Sequence, residues 1–324
     1  MPLDPDAIVD RRRMRRKLTF WRVGAIAIAI IAIVALGWSV LPGGRFGGAG
    51  DYIARIQIQG VIRNNTDRVE ALERLSRSSA KAVIVHLDTP GGTTAGAEQL
   101  YDSLRRLQEK KPMVVVVDGL AASGGYIAAM AADHIIAQET SLIGSIGVLF
   151  QYPNFTDILK TLGIKVEEIK SSPLKAAPSA FEPTSPEARA AIASIVMDSY
   201  AWFRGLVETR RKLSGNDLNT VADGRIFTGR QAVALKLVDS LGNERTALEW
   251  LQTEKSIPAT TPVRNVPLTA RFTDLSFIHM TAFALDIVGL PSVARRLEQS
   301  GALDAVERLN LDGLLALWHP PTDN

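Results

Sequence analysis

Two stretches of this chain share one pattern, an apolar run that enters a glycine-rich turn and leaves it as a helix. The first is KAVIVHLD at 81–88, followed by TPGG and by apolar residues at helical spacing in TTAGAEQLYDSLRRLQEK, 93–110. The second is MVVVVDG at 113–119, followed by LAA and by SGGYIAAMAA at 123–132, a short helix of small residues. Continuous valine and isoleucine suit strands buried on both faces, and strands alternating with helices imply βαβ units and a largely parallel sheet. DYIARIQIQG, from Asp51, adds a strand before them, and His134 begins another after them. Ser-Pro-Glu at 185–187 opens one long helix to Ser214, and TGRQAVALKLVDSLG at 228–242 predicts a helix, a short strand and a glycine turn. The fold class is α/β.

The flanks are different in kind. From Val23 to Leu41 run 19 residues without a charge, close to the roughly 20 that span a bilayer as a helix. Phe20, Trp21 and Trp38 lie near its ends, and RRRMRRK before it should stay cytoplasmic by the positive-inside rule. A cleaved secretory signal is the rival reading, but the run is long for one and LPGGRFGGAG after it lacks a clear A-x-A site. A buried core helix ranks below both, because the run is apolar all round and flanked by charge on one side only. The expected organisation is a basic cytoplasmic tail at 1–22, a transmembrane anchor at 23–41, a flexible glycine-rich linker at 42–50, a catalytic domain at 51–254 and a small helical extension at 255–324. Within the extension, helices are expected near 276–289 and 292–309. SFIHMTAFALDIVGL at 276–290, with His279 and Asp286 inside, is short for a second span and reads as a packing helix.

Composition narrows the chemistry. The net charge is +3, but residues 1–22 hold seven basic and three acidic residues; removing them from totals of 37 and 34 leaves 30 against 31. The basic character belongs to the tail, so nucleic acid is not an expected partner. There is no cysteine, which removes disulfides, thiolate zinc sites and cysteine nucleophiles together. The four histidines, His86, His134, His279 and His319, form no i, i+3 or i, i+4 pair, so neither a metal nor any other cofactor is expected.

The two glycine turns, DTPGGTTAG at 88–96 and DGLAASGGYIAAMAA at 118–132, point backbone amides at one spot. In acyl transfer such a spot holds the tetrahedral oxyanion, and removing one donor costs about 10²–10³ in rate. Gly91 and Gly92 are candidate donors because no side chain blocks approach, and the Gly124 amide is the natural second donor. Ser123, at the head of the small-residue helix, is either the nucleophile or a helix N-cap. A serine nucleophile needs a base, and the histidines are poorly placed: His86 reads as a satisfied residue of an apolar strand. A lysine serves only when neutral, about one molecule in a few thousand at pH 7 unless burial lowers its pKa. It should therefore lie among small and apolar residues. Lys175 in SSPLKAAPSAF has that setting, whereas Lys165 and Lys170 flank Glu167 and Glu168.

DTPGG, AASGGYIAAMAAD, SLIGSIGV, the lysine after KSSP, and DGRIFTGRQAVALKLVDSLG, in this order over about residues 51–250, resemble the signal peptide peptidase A family. The resemblance implies the Clp/crotonase-like superhelix of stacked ββα units, preceded here by one transmembrane helix and followed by the helical extension. It implies Ser123 as nucleophile and Lys175, 52 residues on, as base. It further implies Ser145 as a hydroxyl that helps hold the lysine amine, Ser145 as a turn serine being the alternative, and Gly91 ahead of Gly92 as oxyanion donor. The chain has one copy of the fold and resembles the short form, for which a homo-oligomeric ring with each site shared between neighbours is implied.

The expected activity is hydrolysis of released signal peptides and other membrane-derived apolar peptides by a Ser-Lys dyad through an acyl-enzyme. The expected location is a bacterial inner membrane, with the bilayer held through Val23–Leu41 and the catalytic domain periplasmic or extracellular. Two other classes compete. A catalytically silent membrane scaffold would be indifferent to loss of Ser123, and acyl-CoA chemistry would call for carboxylate acid/base groups and a soluble protein.

Overall fold

The computed structural model describes residues 50–268 and the backbone of 315–317. The expected tail, anchor, most of the linker and the two C-terminal helices lie outside these residues. Among the described residues no helix is long and apolar enough to cross a membrane.

Four strands, β1 (Tyr52–Gln59), β2 (Ala80–Thr89), β4 (Met113–Ala122) and β5 (His134–Ala137), form the centre of one sheet. All their pairings are parallel: β1 with β2, β2 with β4, β4 with β5. Crossovers run through α1 (Thr66–Ser76), α2 (Thr94–Gln108) and α3 (Gly124–Ala129). Through their centres the strands alternate between two apolar layers, as a period of two requires. Val83, Val85 and Leu87 of β2 and Met113, Val115 and Val117 of β4 face a large core with Leu72, Leu104 and Phe203. Ala82, Ile84, Val114 and Val116 face a smaller one, closed by Ala247 and Leu251 of α8 (Glu244–Lys255). Both faces are therefore covered.

The edges carry the remaining strands. β6 (Leu142–Gly144) continues parallel from the end of β4, and β7 (Ile226–Thr228) closes that side antiparallel. β8 (Ser240–Leu241) pairs with β5, and β9 (Val263–Asn265) lies parallel beside β1. β9 belongs to the stretch assigned above to a helical extension. Its three residues are too few to show a period, and only pairing with β1 makes them a strand. Short helices α4 (Thr156–Thr161), α6 (Gly215–Val221) and α7 (Gly229–Ala234) complete the set.

The long helix is α5 (Pro186–Arg211), capped by Ser185, whose Oγ accepts the Ala188 amide at 3.1 Å. It ends where Lys212 turns left-handed at φ 55°. Its C-terminal half buries Phe203 and Val207, whereas Ile195 and Met197 nearer its start are exposed.

One irregularity positions the site. Leu87 pairs with Val117, but the next pair is Thr89 with Ala121, so three residues of β4 oppose one of β2. The bulge carries Ala121 and Ala122 onto β6 and sets Ser123 just beyond the sheet.

Candidate active site

Ser123 joins β4 to α3 with its backbone at φ 55°, ψ −117°. A residue with a Cβ seldom adopts such a conformation, which costs about 1–3 kcal/mol and persists only where its surroundings impose it. Here the Ser123 amide donates to the Gly144 carbonyl at 2.8 Å, and its carbonyl accepts the amides of Tyr126 and Ile127 at 2.9 and 3.0 Å. The hydroxyl makes no cap bond, so the N-cap reading does not describe it. Ser123 is 1% exposed, and its Oγ has no hydrogen-bond partner among the described residues. A buried hydroxyl left in that state costs about 1–3 kcal/mol. Strain and an orphaned hydroxyl thus coincide at one residue.

The glycine turns meet at the start of α3, next to Ser123. The amides of Gly124 and Gly125 open α3, ahead of the helix's own bonding pattern. The other turn is β3 (Gly91–Thr93), which packs against α3. Ile62 lies along one side of it: its amide donates to the Gly91 carbonyl at 2.7 Å and its carbonyl accepts the Thr93 amide at 3.0 Å. Alternation along the strand then turns the amide and carbonyl of Gly92 to the opposite side. Gly92 can only be glycine, since a Cβ would lie 1.7 Å from the Ile62 carbonyl oxygen. The Gly91 amide already donates to Thr89 Oγ1 at 3.1 Å, and that hydroxyl donates to the Gly60 carbonyl at 2.6 Å. Thr89 is fully buried, and a Cβ on Gly125 would come 2.7 Å from its Cγ2. Thr89 therefore links both turns; sequence reasoning passed over it, although it sits inside DTPGG.

Ser145 is bound to the same corner. Gly144, whose carbonyl receives the Ser123 amide, has φ 112°, and a Cβ there would lie 3.0 Å from the Arg225 carbonyl oxygen. Ser145 follows at φ 51°, its amide donating to that carbonyl at 2.8 Å. Half-buried, it borders a cavity of about 420 Å³ shared with Val148, Leu149, Met197 and Tyr200.

Lys175 is not joined to this corner. Its amide donates to the Ser172 carbonyl at 3.1 Å in a turn, and its side chain is exposed, with no ion pair or side-chain hydrogen bond among the described residues. Among the described residues, the apolar setting expected from its neighbours is not closed around it. The same segment exposes Ile158, Leu162, Ile164, Ile169 and Phe181, with Ile169 wholly in solvent. Lys170 is held charged, its pKa raised by hydrogen bonds to Glu168 and Glu182, the reverse of what a base requires. His86 is engaged at both ring nitrogens, 3.0 Å from Asp118 and 2.7 Å from Glu244, and Glu244 also pairs with Arg55. His134 faces Ser240 at 3.0 Å and stacks on Trp250, and burial lowers its pKa. Neither histidine bonds Ser123.

The sequence profile of peptidase family S49 matches residues 105–258, which include both Ser123 and Lys175, and that of Clp protease matches residues 54–143. The fold is accordingly Clp-like α/β. A relative from Synechocystis sp. (strain ATCC 27184 / PCC 6803 / Kazusa), provisionally named protease slr0021, is 36% identical over 62% of this chain and 73% of its own. One from Enterococcus faecium, provisionally named signal peptide peptidase SppA, is 29% identical over 67% of each. The chain spans only about half, 56%, of a further relative from Methanocaldococcus jannaschii. Among solved structures, a ClpP1 mutant from Listeria monocytogenes superposes with a TM-score of 0.41 at 14% identity, over 59% of this chain and 92% of that one. On the Synechocystis alignment and the matched profile, this chain belongs to peptidase family S49 and is a serine peptidase.

Proposed function

We propose that the protein is a membrane-anchored endopeptidase that degrades released signal peptides and similar apolar peptides, with Ser123 as nucleophile and Lys175 as general base. The observation that carries this reading is the Ser123 hydroxyl, buried and unpartnered on a strained turn between two glycine-rich corners. Strain and an unmet hydrogen bond are retained where a reacting group requires them.

In the proposed mechanism the neutral amine of Lys175 takes the Ser123 hydroxyl proton as Oγ attacks the peptide carbonyl carbon. The oxyanion is held by the Gly124 amide and by an amide of the Gly91–Gly92 turn. Gly92 is favoured there, because the Gly91 amide is engaged by Thr89. The lysine ammonium then protonates the leaving amine, the C–N bond breaks and an ester on Ser123 remains. Water, deprotonated by Lys175, attacks that ester, and the returned proton restores the Ser123 hydroxyl. Ser145, one residue from the carbonyl that holds Ser123, would accept a hydrogen bond from the lysine amine.

The lysine comes from a neighbouring subunit in this reading. Two features of the chain support it: the Ser123 hydroxyl has no partner among the described residues, and the exposed Lys175 rides on a segment whose apolar side chains are left in water. Covering that segment with a second copy would bury the apolar surface and desolvate the amine together, which is what lowers a lysine pKa. Tethering through Val23–Leu41 to a bacterial inner membrane, with the domain on its outer side, would keep the site beside apolar peptides.

The test uses the full chain in detergent with a signal-peptide substrate. Ser123→Ala and Lys175→Ala should each be inactive, and mixing them before reassembly should restore about a quarter of wild-type activity, the share of interfaces that pair an intact serine with an intact lysine. Activity surviving in either single variant removes that residue from the mechanism. No recovery on mixing assigns both groups to one subunit.

A further inference from the structure

Lys175 stands in a loop whose neck is closed by charge. Residues 171–176 are all exposed, and Ser179 beyond them is buried. Glu168 and Glu182 stand equally far along the chain on either side of Lys175. The Lys170 ammonium donates to both, at 2.6 Å each, and the Ser179 hydroxyl donates to the other Glu168 oxygen at 3.2 Å. The neck is anchored in turn: the Phe155 amide donates to the Ala180 carbonyl at 2.7 Å, and the Tyr152 and Thr184 hydroxyls lie 2.6 Å apart. At the tip the amide of Lys175 donates to the Ser172 carbonyl at 3.1 Å and that of Ala177 to the Leu174 carbonyl at 3.3 Å. The tip is therefore two overlapping turns, which follow the neck as a unit.

We propose that Lys170 is a positioning residue for the general base: it locks the neck of the Lys175 loop, so that the amine reaches Ser123 of the neighbouring subunit in one geometry. The inference rests on the reading of Lys175 as base and deepens it. Isolated surface ion pairs hold little, but this one is a network of three charges with short bonds, and the Lys170 side chain is only 17% exposed. The shared ammonium also keeps two neighbouring carboxylates from repelling each other, so its loss would push the neck open. Misplacing a reacting group by about 1 Å can cost about 10²-fold in rate. Because the side chain of Lys175 has no bond of its own to hold it among the described residues, its preorganisation comes from the neck.

The experiment compares the full chain in detergent with Lys170→Met, Lys170→Arg and Glu182→Ala. Hydrogen exchange over residues 171–178 is followed by mass spectrometry, beside cleavage of a signal-peptide substrate. Lys170→Met should quicken exchange there and lower kcat about 10–100-fold, with KM within about twofold of wild type. Glu182→Ala, which opens the neck while Lys170 still neutralises Glu168, should act in the same direction. Lys170→Arg, which keeps the charge and its donors, should stay within about threefold of wild type. Lys170→Met mixed with Ser123→Ala should recover about a quarter of wild-type activity, because some interfaces then pair an intact Ser123 with a Lys175 on an intact neck. Mixed with Lys175→Ala, it should not recover. Unchanged exchange in both neck variants overturns the proposal, and so does faster exchange at unchanged kcat while Lys175→Ala is inactive. Where Ser123→Ala and Lys175→Ala complement each other, equal recovery from the two mixtures overturns it too; where they do not, the sharing of the site fails, and exchange and kcat decide the role of the neck. Activity surviving in Lys175→Ala, with faster exchange in the neck variants, overturns the reading of the base and leaves the tie itself standing.

Discussion

Replacing Gly92 by alanine tests how the site is built. The added methyl would sit 1.7 Å from the Ile62 carbonyl oxygen, 2.5 Å from its carbon and 2.7 Å from its nitrogen, all backbone atoms that no rotamer change can clear. β3 must move away from Ile62, breaking the two bonds that join them. At about 0.5–1.5 kcal/mol net for each, the loss is about 1–3 kcal/mol. Out of a total of about 5–15 kcal/mol the domain stays folded. For a domain of this size the melting temperature falls by about 2–4 °C for each kcal/mol. Because the same movement carries the Gly92 amide off the oxyanion position proposed for it, activity should fall about 10²–10³-fold, far more than stability explains. Urea unfolding and cleavage of a signal peptide well below the melting temperature separate the two effects. Gly205→Ala in α5 is the control: nothing lies within 4 Å of its added Cβ, and it should gain about 0.5–1 kcal/mol. Gly92→Ala with stability within about 0.5 kcal/mol of wild type and normal activity would refute the tight approach and the role drawn from it.

Other outcomes follow from single contacts. Ser185→Ala removes the cap of α5 and should lower stability by about 1 kcal/mol in denaturant unfolding, with cleavage unchanged at low temperature. Leu162→Asp, at a residue 66% exposed, should leave the subunit's stability within about 0.5 kcal/mol but weaken assembly in sedimentation equilibrium. Unaltered assembly there would remove the lysine-bearing segment from the proposed interface. Burial alone would raise the pKa of Glu244, but its hydrogen bonds from Arg55 and His86 outweigh it and leave the pKa lowered. The folded state therefore favours the carboxylate, and the stability this gives is present above the ordinary glutamate range and lost as pH falls through the depressed value. Glu244→Gln should be less stable than wild type at pH 7, and the gap should close as unfolding is measured toward pH 3; a gap that widens in acid contradicts the assignment.

The parallel sheet and Ser123 were legible in the chain because their signals are local. Runs such as VIVHL and VVVV bury alternate residues on opposite faces wherever helices cover both, and LAASGG leaves little but a turn with a bare hydroxyl. α1 was missed, although Asn65 caps it through the Arg68 amide at 2.8 Å, because its apolar positions are few among charges. β9 and β10 (Leu315–Leu317) could not be seen, since three residues have no period and become strands only through their partners, β1 and β3. The sequence by itself determined the fold class, the nucleophile candidate and the glycine corners, each set by residues within a few positions of one another. Tertiary structure alone decided that Thr89 links the two corners, that Gly144 holds Ser123 and that Lys175 stays in solvent. It also decided that Leu315–Leu317 lies on Gly92. Each of these depends on groups brought together from distant parts of the chain, and no local pattern of side chains records which backbone amide will meet which carbonyl.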